Sequence, residues 1–141
     1  MTTAEDNARR KKKAQDDKDF TSSKISEQAR TIGLGLAALT MFFLTSDSAF
    51  AKRVIADFRP WVLAVSAIGC LVVLCDYLQY LAGYRASDEA AKNEANGYRY
   101  DVRSFYYLAR RRLFRAKNGL ALLGAFGLIA LILVAIFRGA R

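Results

Sequence analysis

The sequence predicts an all-α membrane protein with three transmembrane helices, because three long stretches are almost free of charge. Residues 31–51 contain one charged side chain, residues 60–84 contain one, and residues 118–137 contain none. A helix needs about 20 mostly apolar residues to cross a hydrocarbon core about 30 Å thick. Elements of a soluble domain would carry polar side chains at every turn instead. We therefore expect most of this chain of 141 residues, 53% of them hydrophobic, to lie in a bilayer.

The predicted spans are residues 23–50, 60–84 and 118–138. The first span has the shortest apolar stretch, because its strongly apolar part, Ile32 to Leu44, has only 13 residues. It can still cross a bilayer if Lys24 and Arg30 reach back to the headgroups. In an alternative interpretation this stretch is a signal peptide that is cleaved after the A-x-A pattern at residues 49–51. A leading region of about 30 residues is long for such a peptide.

The distribution of Lys and Arg predicts the orientation of the spans. Residues 1–30 carry eight of them and residues 85–117 carry nine. Residues 52–59 carry three and residues 138–141 carry two. Since short basic segments stay on the cytoplasmic side, the N-terminus is predicted inside and the C-terminus outside, as in a bacterial inner membrane.

Four connecting segments follow from these spans. Residues 1–22 have almost no apolar content and are predicted to form a disordered basic cytoplasmic tail. Residues 51–59 form a short external loop, and residues 139–141 an external C-terminus. Residues 85–117 form a cytoplasmic helical loop, whose second half mixes basic and aromatic side chains. We expect that half to be an amphipathic helix on the inner membrane surface.

Two groups of basic residues are candidates for binding an anionic signal or lipid, since cations near the inner surface attract anionic headgroups and phosphates. The residues are Arg9, Arg10, Lys11, Lys12, Lys13, Arg99, Arg103, Arg110, Arg111, Arg112, Arg115 and Lys117. A nucleotide or oligonucleotide is one possible ligand and the lipid bilayer is another. A membrane-bound nucleic-acid tether is a third interpretation, and it predicts binding that weakens steeply with salt.

Four polar residues within or beside the spans are candidates for a pore or a gate: Asp76, Gln79, Thr40 and Asp47. Asp76 is the most informative, because a carboxylate at membrane depth is costly unless it is paired or faces water. The alternative is an inward salt bridge from Asp76 to an arginine such as Arg85, Arg99 or Arg103. The sequence leaves both interpretations open.

Small residues at helical spacing are predicted to mediate helix packing, since they let backbones approach closely in lipid. They are Gly33, Ala37, Gly69, Gly124 and Gly127. A lone copy with such faces is expected to need partners. We therefore expect a homo-oligomer or a partner protein.

The composition argues against catalysis, and we expect a protein that is not an enzyme and needs no cofactor or metal. The chain has no histidine to act as a general base or a metal ligand. Its two cysteines, Cys70 and Cys75, lie within an apolar run, where a thiol is poorly reactive.

Two segments carry a resemblance: residues 24–36, from Lys24-Ile25-Ser26 to Leu34-Gly35-Leu36, and residues 76–84, from Asp76-Tyr77-Leu78 to Ala82-Gly83-Tyr84. They resemble small three-helix bacterial inner-membrane proteins, which include membrane effectors of anti-phage systems of the Hailong type. The resemblance implies a homo-oligomeric ion channel controlled by a short DNA oligomer that a partner nucleotidyltransferase makes. Asp76 and Gln79 would then face the pore near its cytoplasmic mouth. The alternative is a non-conducting accessory or assembly subunit of a larger membrane complex.

Overall fold

The protein is described by a computed structural model that covers residues 3–92 and 100–139, with the side chains of residues 3–15 and 17–19 left out. All secondary structure in the described residues is helical. The helices are α1 (Thr3–Thr45), α2 (Ala49–Lys92) and α3 (Phe105–Gly139). Each contains a segment long and apolar enough to cross a membrane: Phe20–Thr45, Ala49–Lys92 and Phe105–Arg138. The predicted all-α fold with three candidate spans is confirmed.

The helices form an antiparallel up-down-up bundle around a seam of small and apolar side chains on α2. These side chains are Ala51, Val54, Phe58, Val62, Val65, Gly69 and Val72, and all are buried. Successive members are three or four residues apart, which keeps one side of a helix facing its neighbours over many turns. At one end Phe43 of α1 and Leu131 of α3 pack on this seam. At about mid-length Ala121 of α3 joins it beside Val72.

The turn between α1 and α2 lies earlier than the sequence indicated. α1 ends at Thr45 and α2 begins at Ala49, so residues 51–59 are the first turns of α2 and not a loop. Ser48 starts this helix, because its Oγ accepts a hydrogen bond from the Ala51 N–H at 3.1 Å. The helix kinks at Phe58 (φ −130°, ψ 19°), two residues before Pro60. Proline lacks an N–H and its ring crowds the preceding turn, which accounts for the kink.

The N-terminal segment also differs from the prediction. Residues 3–22, expected to be disordered, are the first turns of α1. The segment contains neither glycine nor proline, and nine of its 20 residues are Ala, Lys or Arg. Such residues propagate a helix at little cost once it has been nucleated by a neighbouring packed segment.

The predicted cytoplasmic loop is divided between two long helices. α2 continues to Lys92, and the basic-aromatic segment from Phe105 onward is continuous with the third candidate span. A hydrogen bond ties the residue just before α3 to α2: the Ser104 hydroxyl donates to Glu89 Oε2 at 2.5 Å. Predictions for Arg99 and for residues 140–141 fall outside the described residues.

Candidate functional site: a polar cluster shared by the three helices

A buried polar cluster joins all three helices at one level of the bundle. We define it as Ser26 and Arg30 of α1, Asp76 of α2 and Lys117 of α3. The side chain of Lys117 is fully buried, and that of Asp76 is 5% exposed. Arg30 is the outermost member, with 43% of its side chain exposed.

Both carboxylate oxygens of Asp76 are occupied by donors. Lys117 Nζ lies 2.5 Å from Oδ1, and Arg30 Nε donates to Oδ2 at 2.7 Å. The Ser26 hydroxyl lies 3.2 Å from Oδ1 and also accepts a hydrogen bond from Lys117 Nζ. A buried ion pair is tolerated only when its remaining hydrogen-bonding groups are satisfied, and this cluster meets that condition at the carboxylate.

The helices reach the cluster because glycines bring them close together. Gly33 of α1 faces Gly69 of α2, and a Cβ added to Gly69 would lie 2.6 Å from the Gly33 carbonyl oxygen. Gly124 of α3 faces Leu36 of α1 and Ile68 of α2. The predicted packing residues therefore lie between helices of one chain, which removes the unpartnered small faces from which we expected self-association. Gly127 is looser, with Val65 Cγ2 3.6 Å from its added Cβ.

A regular offset links these glycines to the cluster. Ser26 precedes Gly33 by seven residues, and Lys117 precedes Gly124 by seven. Asp76 follows Gly69 by seven on the antiparallel helix. Seven residues are two helical turns, about 10 Å, and return a side chain to the same face. Close packing at the glycine level therefore places the three polar side chains opposite one another.

The inward ion pair considered for Asp76 has partners that sequence reasoning did not name. They are Lys117 and Arg30, rather than Arg85 or Arg103. Lys117, predicted to bind an external anion or lipid, is instead buried against Asp76. Ser26 and Arg30 were missed as site residues, although they lie seven residues before Gly33 and Ala37 on the same face of α1.

The other gate candidates lie elsewhere. Thr40 is buried two turns beyond Gly33, where its hydroxyl donates to the Leu36 carbonyl oxygen at 3.1 Å. Asp47 lies in the α1–α2 turn at the opposite end of the bundle, fully accessible and 3.0 Å from Lys52 Nζ. Gln79 lies one turn beyond Asp76, and its Oε1 atom is buried without a hydrogen-bond partner among the described residues.

The remaining basic candidates divide between exposed and undescribed positions. We call the exposed arginines of the first turns of α3 the arginine surface: Arg110, Arg111, Arg112 and Arg115. Arg103 is exposed in the turn before α3. The side chains of Arg9, Arg10, Lys11, Lys12 and Lys13 lie outside the described residues. Where side chains are described, His, Cys, Asp and Glu form no group of three that could hold a metal ion.

Three long apolar helices that share a buried ion-pair cluster have the architecture of a multi-pass membrane protein. No protein-family model, curated protein or solved structure matches the chain.

Proposed function

We propose that the protein is a non-enzymatic, homo-oligomeric effector of a bacterial inner membrane that conducts ions when an anionic signal binds its basic cytoplasmic end. The proposed orientation has the N-terminus inside and the C-terminus outside, in line with the excess of Lys and Arg in residues 1–30 and 85–117. The proposed signal is a nucleotide or oligonucleotide, and a role in anti-phage defence is part of the proposal.

The observation that carries the proposal is the continuity of α3. One unbroken helix bears both the arginine surface and the buried Lys117. Arg115 and Lys117 lie two residues apart on this rigid helix, so a shift of α3 that accompanies anion binding at the arginine surface would also move the ammonium group relative to Asp76. A ligand shifts a conformational equilibrium when it binds one state more tightly, and the polar cluster supplies a latch that such binding can release.

The packing of the helices bears on where ions would pass in the proposed channel. The three helices of one chain pack directly on one another, with Gly33, Gly69 and Gly124 at the contacts. A conducting path is therefore expected between copies rather than inside one chain. Asp76 and Gln79 would reach that path only after the latch opens.

The arginine surface is tested by ion flux from liposomes that contain the purified protein, with a short single-stranded DNA oligonucleotide as the probe. Replacing Arg111, Arg112 and Arg115 together with glutamine is expected to raise the concentration for half-maximal flux about tenfold or more. The matched control replaces Lys52, Arg53 and Arg59, three exposed cations at the other end of the bundle, and is expected to leave it unchanged. The proposal would be contradicted if the oligonucleotide did not stimulate flux. It would also be contradicted if both triple variants raised the concentration for half-maximal flux equally.

A second candidate function is that of an accessory or assembly subunit that conducts no ions. One observation favours it: the close-packing glycines are occupied within the chain, while α3 exposes large apolar side chains such as Phe126 and Leu122. Lipid or a larger complex can cover that surface. Native mass spectrometry of the purified protein at several concentrations separates the two candidates, since a channel forms a discrete closed oligomer and an accessory subunit is monomeric without its partner.

A further inference from the structure

The charges of the polar cluster do not balance. Two cations, Arg30 and Lys117, are paired with the single carboxylate of Asp76. The Glu27 carboxylate, on α1 between Ser26 and Arg30, pairs with Lys24 at 3.0 Å. Because Lys117 is fully buried, the excess positive charge is accessible only at Arg30.

Arg30 keeps free donors on its outer side. A guanidinium group has five N–H donors. Its Nε donates to Asp76 Oδ2, and one Nη2 hydrogen is directed to the Tyr80 hydroxyl oxygen at 3.2 Å. The guanidinium carbon also lies 5.5 Å from the centre of the Tyr80 ring. These contacts hold the group in one orientation and leave both Nη1 hydrogens without an acceptor among the described residues.

Tyr80 adds a donor of its own. Its hydroxyl oxygen accepts from Arg30, so its O–H hydrogen is available to donate outward, and the residue is 56% exposed. A guanidinium edge beside a phenolic hydroxyl matches the oxygens of a phosphodiester, which accepts several charge-assisted hydrogen bonds at once.

The depth of the pair in the bilayer identifies the source of the phosphate. Lys117, at the level of Asp76, immediately precedes the uncharged stretch 118–137 of α3. Tyr77 and Tyr84 are exposed on α2 to either side of Tyr80, and tyrosines gather at the headgroup level of membranes. Lipid phosphates are therefore expected at the level of Arg30 and Tyr80.

We propose that Arg30 and Tyr80 form a binding site for the phosphate of an anionic phospholipid. The lipid supplies the second negative charge that the cluster needs, because the single carboxylate of Asp76 is shared between two cations. The site lies on α1 and α2 and is separate from the arginine surface. It does not depend on ion conduction.

The site is tested by native mass spectrometry of the protein in mixed micelles of phosphatidylglycerol and phosphatidylcholine with identical acyl chains. The wild-type protein is expected to retain phosphatidylglycerol in preference to phosphatidylcholine. Tyr80→Phe keeps the ring and loses the hydroxyl, and it is expected to reduce that preference about fivefold. Arg30→Gln is expected to abolish it, while the Asp76–Lys117 pair keeps the bundle folded. Tyr84→Phe is the matched control and is expected to bind lipid as the wild type does.

Three results would overturn the proposal. The first is equal retention of the two lipids by the wild type. The second is a loss of preference in Tyr84→Phe as large as that in Tyr80→Phe. The third is displacement of phosphatidylglycerol by excess inorganic phosphate, which would make soluble phosphate the ligand. Far-UV circular dichroism of each variant establishes that the helices are intact.

Discussion

Replacing Asp76 with asparagine is expected to destabilise the bundle by about 3–5 kcal/mol, because the fully buried Lys117 then lacks its counter-charge. Asparagine has nearly the shape of aspartate, so the loss reports charge rather than packing. The measurement is the free energy of unfolding in mixed micelles titrated with a denaturing detergent and followed by circular dichroism.

Two further variants give this prediction its control and its counter-test. Asp47→Asn removes an equally charged but fully accessible carboxylate and is expected to change stability by less than about 0.5 kcal/mol. Adding Lys117→Met to Asp76→Asn removes the unpaired charge and is expected to recover most of the lost stability. A double variant no more stable than Asp76→Asn would show that charge compensation is not what the cluster contributes.

The same substitution distinguishes a latch from a purely structural contact. If release of Lys117 from Asp76 opens a conducting path, Asp76→Asn in liposomes should conduct without the oligonucleotide. The Asp76→Asn/Lys117→Met variant, which has no such pair, should conduct equally. Liposomes that stay sealed with both variants would leave Asp76 a structural residue and remove the latch from the proposed function.

Gly69→Ala is expected to cost about 2–3 kcal/mol, since the added Cβ would lie 2.6 Å from the Gly33 carbonyl oxygen and 3.2 Å from the Ala37 backbone nitrogen. Backbone atoms cannot move aside as a flexible side chain can, so α1 and α2 must separate. Separation at this level also weakens the polar cluster two turns away. Detergent-titrated unfolding measures the loss.

Gly35→Ala is the matched control, because a Cβ at Gly35 meets no atom within 4 Å. Alanine has the higher helix propensity, so this variant is expected to be stabilised by about 0.5–1 kcal/mol. The opposite signs of the two substitutions separate close packing from helix propensity. Equal effects at Gly69 and Gly35 would contradict the close approach of α1 and α2.

The candidate site was partly readable in the sequence. Asp76 was conspicuous as a lone carboxylate in an apolar stretch, and the glycines as small residues at helical spacing. Lys117 and Arg30 were not, because basic residues at the ends of spans usually contact headgroups. The seven-residue offsets from Gly33, Gly69 and Gly124 were present in the sequence. The offsets predict that the polar side chains meet only once the three glycines are known to lie at one level of the bundle.

The helix ends show a different limit. The apolar lengths predicted three candidate spans, but not that α1 continues back to Thr3 or that α2 begins at Ala49. Hydropathy indicates only the length of helix that the hydrocarbon core of a bilayer can cover. The residues beyond that length are helical because they extend an existing helix, and their composition alone resembles that of a tail or a loop.

The sequence by itself determined the class of protein and its three candidate spans, because the transfer of apolar side chains from water into lipid depends on composition and length. Only the tertiary structure decided which charges meet. Asp76 is separated from Arg30 by 46 residues and from Lys117 by 41, and no local pattern specifies such a pairing. The pairing follows from antiparallel packing at the glycines, which brings Asp76, Arg30 and Lys117 to one level of the bundle. There the carboxylate of Asp76 is the counter-ion of both cations.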